Sequence, residues 1–274
     1  MNFGINPSYF TKCYGEESPL SLESAIALCE KHGFTALLLS ASMPTERAKA
    51  VRAYLDTTRA YAHQTHLPYY RYAKGVDYNE VRKKLLSCAE ASYALGAEII
   101  VAHADEFDFS AEEYTPLRAL AFNRRLFDPV VDFAVGHGMR VAFENVFEDM
   151  SIPRHTSRAE ELLAFVEDFK TDKVCVCFDF GHAKMQYPDA YAEALDALAD
   201  KVICTHLHDN YYGKDLHSAP FLGDTNFDAL MKIYKKKCPE VPLTLEMVYG
   251  TLPRALHESF AAFLYHSCEC LVAF

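Results

Sequence analysis

Short apolar runs alternate with longer amphipathic stretches along the whole of this chain, and that alternation restricts the fold more than any single motif does. A short run rich in Val, Ile, Leu and Phe suits a strand buried on both faces, whereas apolar residues at three- and four-residue spacing suit a helix with one buried side. Expected strands are Asn2–Asn6, Ala36–Leu39, Gln64–His66, Ile99–His103, Arg140–Glu144, Val174–Asp179, Val202–His206 and Leu243–Glu246. Expected helices are Ser21–His32, Thr45–Ala62, Tyr78–Leu95, Pro116–His137, Ser157–Phe169, Tyr187–Ala199, Phe227–Lys237 and Leu252–Tyr265. Three of these helices run into a glycine just before the next strand, at His32-Gly33, Leu95-Gly96 and His137-Gly138. A left-handed C-cap costs least there for glycine. The repeated joints predict an α/β chain folded as a (β/α)8 TIM barrel, with residues 1–274 as one domain. That fold typically needs about 250 residues. A doubly wound open sheet is the competing arrangement, but the glycine-rich phosphate fingerprint that accompanies it is absent after the first strand.

Half of the residues are hydrophobic (50%) and 24% are charged, which fits a folded globular chain rather than a disordered one. The formal net charge of −11 repels a phosphate backbone, and Lys235 to Lys237 read as a solvated helix end, so nucleic acid is disfavoured as a partner. Met1 to Phe10 lack a basic stretch leading into an apolar one, and nothing later approaches the ~20 apolar residues of a membrane span. A cytoplasmic location without a membrane partner is expected. The nine cysteines, irregularly spaced and without a CxxC pair, fit reduced thiols better than a disulfide framework. Cys175 and Cys177, alternate positions of one strand, read as small core residues with no third thiol beside them.

The residues that carry chemistry fall at strand ends. His66, His103, Glu144, Asp179, His206 and Glu246 close the third to the eighth expected strand in order, and a parallel barrel brings those ends to one mouth. Taken singly, a strand-end histidine is an ordinary hydrogen-bonded residue, and a strand-end carboxylate can serve a helix N-terminus. A carboxylate that follows Val-Ala-Phe or Val-Cys-Val-Cys-Phe, however, is drawn into an apolar setting and needs its charge compensated. A divalent cation does this, and two Glu, one Asp and one His suit zinc, manganese, magnesium or cobalt without a thiolate. Asp179-Phe180-Gly181-His182 adds an imidazole one turn on, and Asp215-Leu216-His217 adds a carboxylate and an imidazole two residues apart. His206 and His208 share a strand face, so spacing alone permits either as a ligand.

Phe143-Glu144-Asn145, Cys177-Phe178-Asp179-Phe180-Gly181-His182-Ala183, His206-Leu207-His208-Asp209 and Thr244-Leu245-Glu246 resemble the xylose isomerase-like TIM barrel superfamily, over nearly the whole chain. Its members include sugar and sugar-phosphate isomerases and epimerases, inosose dehydratases and isomerases, and apurinic-site nucleases of the endonuclease IV type. For the epimerase branch the resemblance implies Glu144, Asp179, His206 and Glu246 as metal ligands. Glu144 and Glu246 would also exchange the substrate proton, and His182 would touch substrate. For the nuclease branch it implies three zinc ions on His66, His103, Glu144, Asp179, His182, His206, Asp215, His217 and Glu246, all of which are present. Against the nuclease stand His66-Leu67-Pro68-Tyr69-Tyr70, Phe180-Gly181 in place of a Thr-Cys-like pair, the acidic balance, and a thin supply of loop cations in Arg71, Lys74, Lys184 and Lys214.

The resemblance thus implies a divalent-metal-dependent isomerase or epimerase of a sugar, polyol or inositol-type substrate, working through a metal-stabilised enediolate. One ion per chain is expected, zinc or manganese ahead of magnesium or cobalt; the alternative is a trinuclear zinc apurinic-site phosphodiesterase. A third expectation is a barrel subunit whose site is only partly used. His66, His103, His182, Asp215 and His217 are expected as additional metal or substrate residues, and His208, Tyr69 and Tyr211 as substrate contacts. Tyr70, Tyr72 and Tyr212, and then Phe10 and Tyr14, are further pocket-wall candidates, with loop packing as the plainer account. Met247 to Thr251 make a poor phosphate cradle, so an unphosphorylated substrate is expected. Barrels of this kind often form homo-oligomers, although no helix face here marks a contact.

Overall fold

The computed structural model describes residues 2–14, 18–69, 76–104, 113–148, 153–248 and 250–273; Met1, Tyr70, Arg71, Tyr72 and Lys74, named above, and Tyr249 within the Met247 to Thr251 segment lie outside these. Strands are β1 Phe3–Ile5, β2 Ala36–Ser40, β3 Tyr61–His66, β4 Ile99–Ala102, β5 Arg140–Glu144, β6 Val174–Asp179, β7 Val202–His206, β8 Asp209–Tyr211, β9 Lys214–Ser218 and β10 Leu243–Leu245. Helices are α1 Leu22–Lys31, α2 Thr45–Leu55, α3 Tyr78–Leu95, α4 Pro116–Gly136, α5 Ala159–Asp168, α6 Phe180–Gln186, α7 Tyr191–Leu198, α8 Phe227–Lys237 and α9 His257–Ala273. Eight strands form one parallel sheet in the order β10-β1-β2-β3-β4-β5-β6-β7. A parallel bridge between Leu207 and Leu245 brings the two ends together. The expected barrel is therefore the observed one, and β8 with β9 is an antiparallel hairpin set apart from it.

Each barrel strand is buried on both faces. In β6, Val176 and Phe178 join the large core under the helices, where Phe143 meets Phe165 at 4.7 Å between ring centroids. Cys177 instead joins Ile99, Val101, Ala142 and Cys204 in a separate cluster inside the barrel. Two buried faces remove the polar alternation of a half-exposed strand, which is why these segments read as continuous apolar runs. Gly33, Gly96 and Gly138 all adopt positive φ, 103°, 78° and 79°, as the helix-to-strand joints require. Among the described residues no helix is long and apolar enough to cross a membrane.

Four expectations need correction. The helix expected over Thr45–Ala62 ends at Leu55, where the Thr57 and Thr58 hydroxyls donate to the carbonyls of Tyr54 and Leu55, and β3 starts at Tyr61. Only its Gln64–His66 end was expected, because polar His63 and Gln64 interrupt the apolar pattern of its first half. The helix expected over Tyr187–Ala199 is α7, starting only at Tyr191, and an unexpected helix, α6, capped by Asp179, precedes it directly after β6. The last helix begins at His257 rather than Leu252 and runs to Ala273, after a short 3-10 turn at Arg254–Leu256. Cys177 does have another thiol beside it, because Cys204 of β7 is its register partner, although all nine cysteines are free.

Gly4 lies on the barrel-facing side of β1, where an added Cβ would overlap Thr244 Oγ1 and stand 2.8 Å from the Ala36 carbonyl oxygen. Gly4→Ala is expected to cost about 1–3 kcal/mol through overpacking. A lower urea midpoint at unchanged slope would register this, and an unchanged midpoint would refute it.

Candidate functional site

Every barrel strand brings one side chain to the mouth at its C-terminal end or one residue beyond: Asn6, Ser40, His66, His103, Glu144, Asp179, His206 and Glu246. Glu144 is the hub of this ring. Its carboxylate is almost fully buried; Oε2 lies 3.2 Å from His66 Nε2, 3.3 Å from His103 Nε2 and 3.0 Å from His206 Nδ1, and Oε1 lies 3.0 Å from His182 Nδ1. His206 Nδ1 is also 3.6 Å from Glu246 Oε2. To one side, Asp215 Oδ2 stands 3.7 Å from His182 Nε2 and 3.3 Å from His217 Nε2, while His217 Nδ1 reaches Glu246 Oε2 at 3.4 Å.

These donors fall into overlapping groups whose ligand atoms all lie within 4.8 Å of one another: His66–His103–Glu144, His66–His206–Glu246, Glu144–Asp179–His206–Glu246 and His182–His208–Asp215–His217. All nine residues expected from the sequence are thus gathered in one place. His208 joins them, buried, with its Nε2 3.1 Å from Asp179 Oδ1 and its ring stacked on His217 at 3.8 Å.

The electrostatics follow from burying this many charges together. Burial alone would neutralise each group, but the partners outweigh it. The imidazoles of His206, His103 and His182 hold the Glu144 carboxyl well below the usual range against its desolvation, and His182 and His208 do the same for Asp179. Against a desolvation that favours the neutral ring, Glu246 and Glu144 push His206 up to about 10. His217 is likewise pushed up to about 9 by Asp215 and Glu246 despite its burial.

Local sequence explains the precision of the placement. Asn145, the residue after Glu144, clamps the end of β6: its Nδ2 donates to the Asp179 carbonyl at 2.9 Å and its Oδ1 accepts from Asp179 N–H at 2.7 Å. Asp179 Oδ1 accepts from His182 N–H at 2.6 Å as the N-cap of α6, so one carboxylate starts a helix and faces His208 at once. Gly181 is required because a Cβ there would overlap the His208 ring. The buried Asp209 carboxylate accepts from the backbone N–H groups of Asn210, Gly223 and Thr225 at 2.9, 2.9 and 3.2 Å, tying the 223–225 turn to the hairpin that carries Asp215 and His217. Tyr212, His217 and Phe221 hold positive φ of 55°, 46° and 70°, an unfavourable conformation for residues with a Cβ that surrounding contacts must enforce.

Of the expected substrate contacts, His208 and Tyr69 lie at the site, Tyr69 edge-on to His103 at 5.1 Å with its hydroxyl accepting from Arg154. Tyr211 sits on the hairpin, 40% exposed and against Tyr212. Phe10 is fully buried against Tyr9 and His257 and packs the core, and Tyr14 is exposed. Lys184 pairs with Asp224. Sequence reasoning missed Asn145, Gly181, Asp209 and the two neutral members of the ring, Asn6 and Ser40. The first three lie inside motifs already singled out, yet nothing in composition distinguishes a clamp from a bystander.

A family model described as xylose isomerase-like TIM barrel matches residues 26–265. The uncharacterized protein y4fM of Sinorhizobium fredii is 31% identical over 160 residues, 56% of this chain and 48% of that protein, so the match spans about half the relative's length. The uncharacterized protein MJ1311 of Methanocaldococcus jannaschii is 23% identical over 244 residues, 86% of this chain and 80% of that protein. Among solved structures, an L-ribulose 3-epimerase shares 14% identity at a TM-score of 0.78, over 100% of this chain and 95% of its own. The E. coli 3-keto-D-glucoside 4-epimerase shares 15% at 0.74, over 100% of both chains. The IOLI protein, solved with a bound zinc atom, shares 16% at 0.65, over 100% of this chain and 97% of its own. At these identities the likeness is one of fold.

Asp209→Ala strips three buried or half-buried N–H groups of a charged acceptor and is expected to cost about 3 kcal/mol. Chemical denaturation would measure it; a loss under about 1 kcal/mol would show that the carboxylate does not hold the turn.

Proposed function

Because the chain belongs to the xylose isomerase-like TIM barrel family, we propose that it is a divalent-metal-dependent isomerase or epimerase of a small carbohydrate, polyol or inositol-type substrate. The observation that carries this reading is the convergence of Glu144, Asp179, His206 and Glu246 at the barrel mouth, two glutamates within one ligand set. The residues fit an ion: buried Glu144 Oε1, His206 Nδ1 and Nε2, and Asp215 Oδ1 have no hydrogen-bond partner among the described residues. Zinc or manganese suits the mixed oxygen and nitrogen donors, with magnesium or cobalt also compatible. A bound divalent ion supplies Lewis acidity that stabilises charge developing on substrate oxygens when a C–H proton leaves.

The chain's own groups divide the remaining work. Glu246, 8% exposed, lines an open recess and takes the proton from the substrate carbon. Glu144, held ionised among four imidazoles, is the partner that relays a proton from the neighbouring His182 imidazolium to the other face or to the neighbouring carbon. His182 and His208 orient substrate oxygens, and Tyr69 covers the His103 side. Solved sugar epimerases with the same fold, including a D-psicose 3-epimerase with D-fructose, support a carbohydrate substrate, and the net charge of −11 weighs against nucleic acid.

One observation favours a second reading. The His66–His103–Glu144 and His182–His208–Asp215–His217 groups flank the central one, as a trinuclear zinc apurinic-site phosphodiesterase of the endonuclease IV type would require. Elemental analysis of the purified protein separates the two. About one divalent ion per chain with turnover of ketoses or inososes is expected; three zinc ions with cleavage of abasic DNA would replace the first reading by the second.

Two further outcomes are expected. Glu246→Gln should lower turnover at least about 10²-fold, and full activity would remove its role as acid and base. In the metal-free chain His206 and His217 are protonated at neutral pH, since their pKa values stand near 10 and 9. Coordination requires the neutral ring, so loading the central group should release about one proton from His206, loading the group that holds His217 about one more, and binding should tighten as pH rises toward those values. Calorimetry in buffers of different ionisation enthalpy reads the number, and no release would contradict ligation by either imidazole.

A further inference from the structure

Two of the eight positions at the barrel mouth carry neutral side chains, Asn6 after β1 and Ser40 at the end of β2, and they are neighbours. With Ser8 and Ser42 they line a recess of about 190 Å3 whose inner wall includes His66 and Glu246. This is smaller than the roughly 300–1,000 Å3 of pockets for drug-sized ligands and suits a polyol of a few carbons. Asn6 Oδ1 accepts from Ser8 N–H at 3.0 Å and from the Ser8 hydroxyl at 2.6 Å. A backbone N–H can only donate, so the amide oxygen is committed and the Nδ2 hydrogens are left to serve a ligand. Ser40 Oγ accepts from Ser42 N–H at 3.2 Å and keeps its own hydrogen to give. Neither Lys nor Arg is among the described residues that line the recess, and a carboxylate, Glu246, is.

We propose that this recess receives the uncharged, hydroxyl-bearing end of the substrate, with Asn6 as a specificity-determining donor and Ser40 beside it. The inference rests on the isomerase reading above and deepens it: the substrate is an unphosphorylated polyhydroxy compound. A phosphate dianion placed here would meet Glu246 and no Lys or Arg among the described lining residues, whereas a hydroxyl oxygen accepts from the Asn6 amide at no electrostatic cost.

Asn6→Asp tests this without removing the oxygen that caps the Pro7–Thr11 turn, because a carboxylate still accepts from Ser8. It abolishes the two donors and adds a charge beside Glu246. With metal-loaded protein, D-fructose and D-allulose are expected to be turned over with kcat/KM at least about tenfold above that for D-fructose 6-phosphate. Asn6→Asp should raise KM for the free ketose about tenfold at unchanged metal content, and Ser40→Ala several-fold. Preference for the phosphate ester, or an unchanged KM in Asn6→Asp, would overturn the inference and leave the isomerase reading standing. If no free or phosphorylated ketose reacts at full metal loading, the isomerase reading is the one that fails. Calorimetric titration with D-fructose then decides the recess: binding that Asn6→Asp weakens about tenfold supports it, and no binding overturns it.

Discussion

The Glu144 carboxylate, buried among the imidazoles of His66, His103, His182 and His206, is the constraint around which the barrel mouth is arranged. Ionised carboxylates do not enter an apolar interior unless opposing charge and hydrogen bonds meet them. The side chains that meet Glu144 come from β3, β4, α6 and β7, elements far apart in sequence. Only a closed parallel barrel delivers four such residues to one point while the strands beneath them stay fully buried. The neighbouring charges reinforce one another in the same way, Asp179 with His208, and Asp215 with His182 and His217.

A cluster of this density holds together because its backbone is tied down by side chains outside the cluster itself. Asn145 fastens β6 to β5 at the level of Asp179, and Asp209 fastens the 223–225 turn through three backbone N–H groups. Gly181 opens the space into which the His208 ring fits. The hairpin of β8 and β9, which brings Asp215 and His217 over the mouth, carries positive φ at Tyr212 and His217. Strain of that kind persists where surrounding contacts over-determine the conformation, and here those contacts are the ones that complete the side group of ligands.

The asymmetry of the mouth connects fold to chemistry. From β3 round to β10 the strand ends carry ionisable imidazoles and carboxylates, while β1 and β2 end in neutral hydrogen-bonding residues beside an open recess. Charge is concentrated where an ion would sit, and space is left where an uncharged ligand would enter. Glu246 borders both regions, which suits the group that exchanges a proton with a bound carbon acid.

The alternation of apolar runs with amphipathic helices, closed by glycine joints, by itself determined an α/β chain and the ligand-type residues at six strand ends, and the missing glycine-rich fingerprint favoured the barrel over an open sheet. The physical reason is that strands buried on both faces and helices buried on one leave different periodicities, and a polar residue ending an apolar run stands out in either. The start of β3 was obscured because polar His63 and Gln64 interrupt its apolar pattern. Tertiary structure alone decided that Glu144 is shared among four imidazoles, that Asp209 and Asn145 are clamps, that Phe10 packs the core, and that Asn6 and Ser40 face a recess. Those facts depend on distances between strand ends set by barrel closure and register, and a linear sequence carries spacing along the chain but not across the mouth.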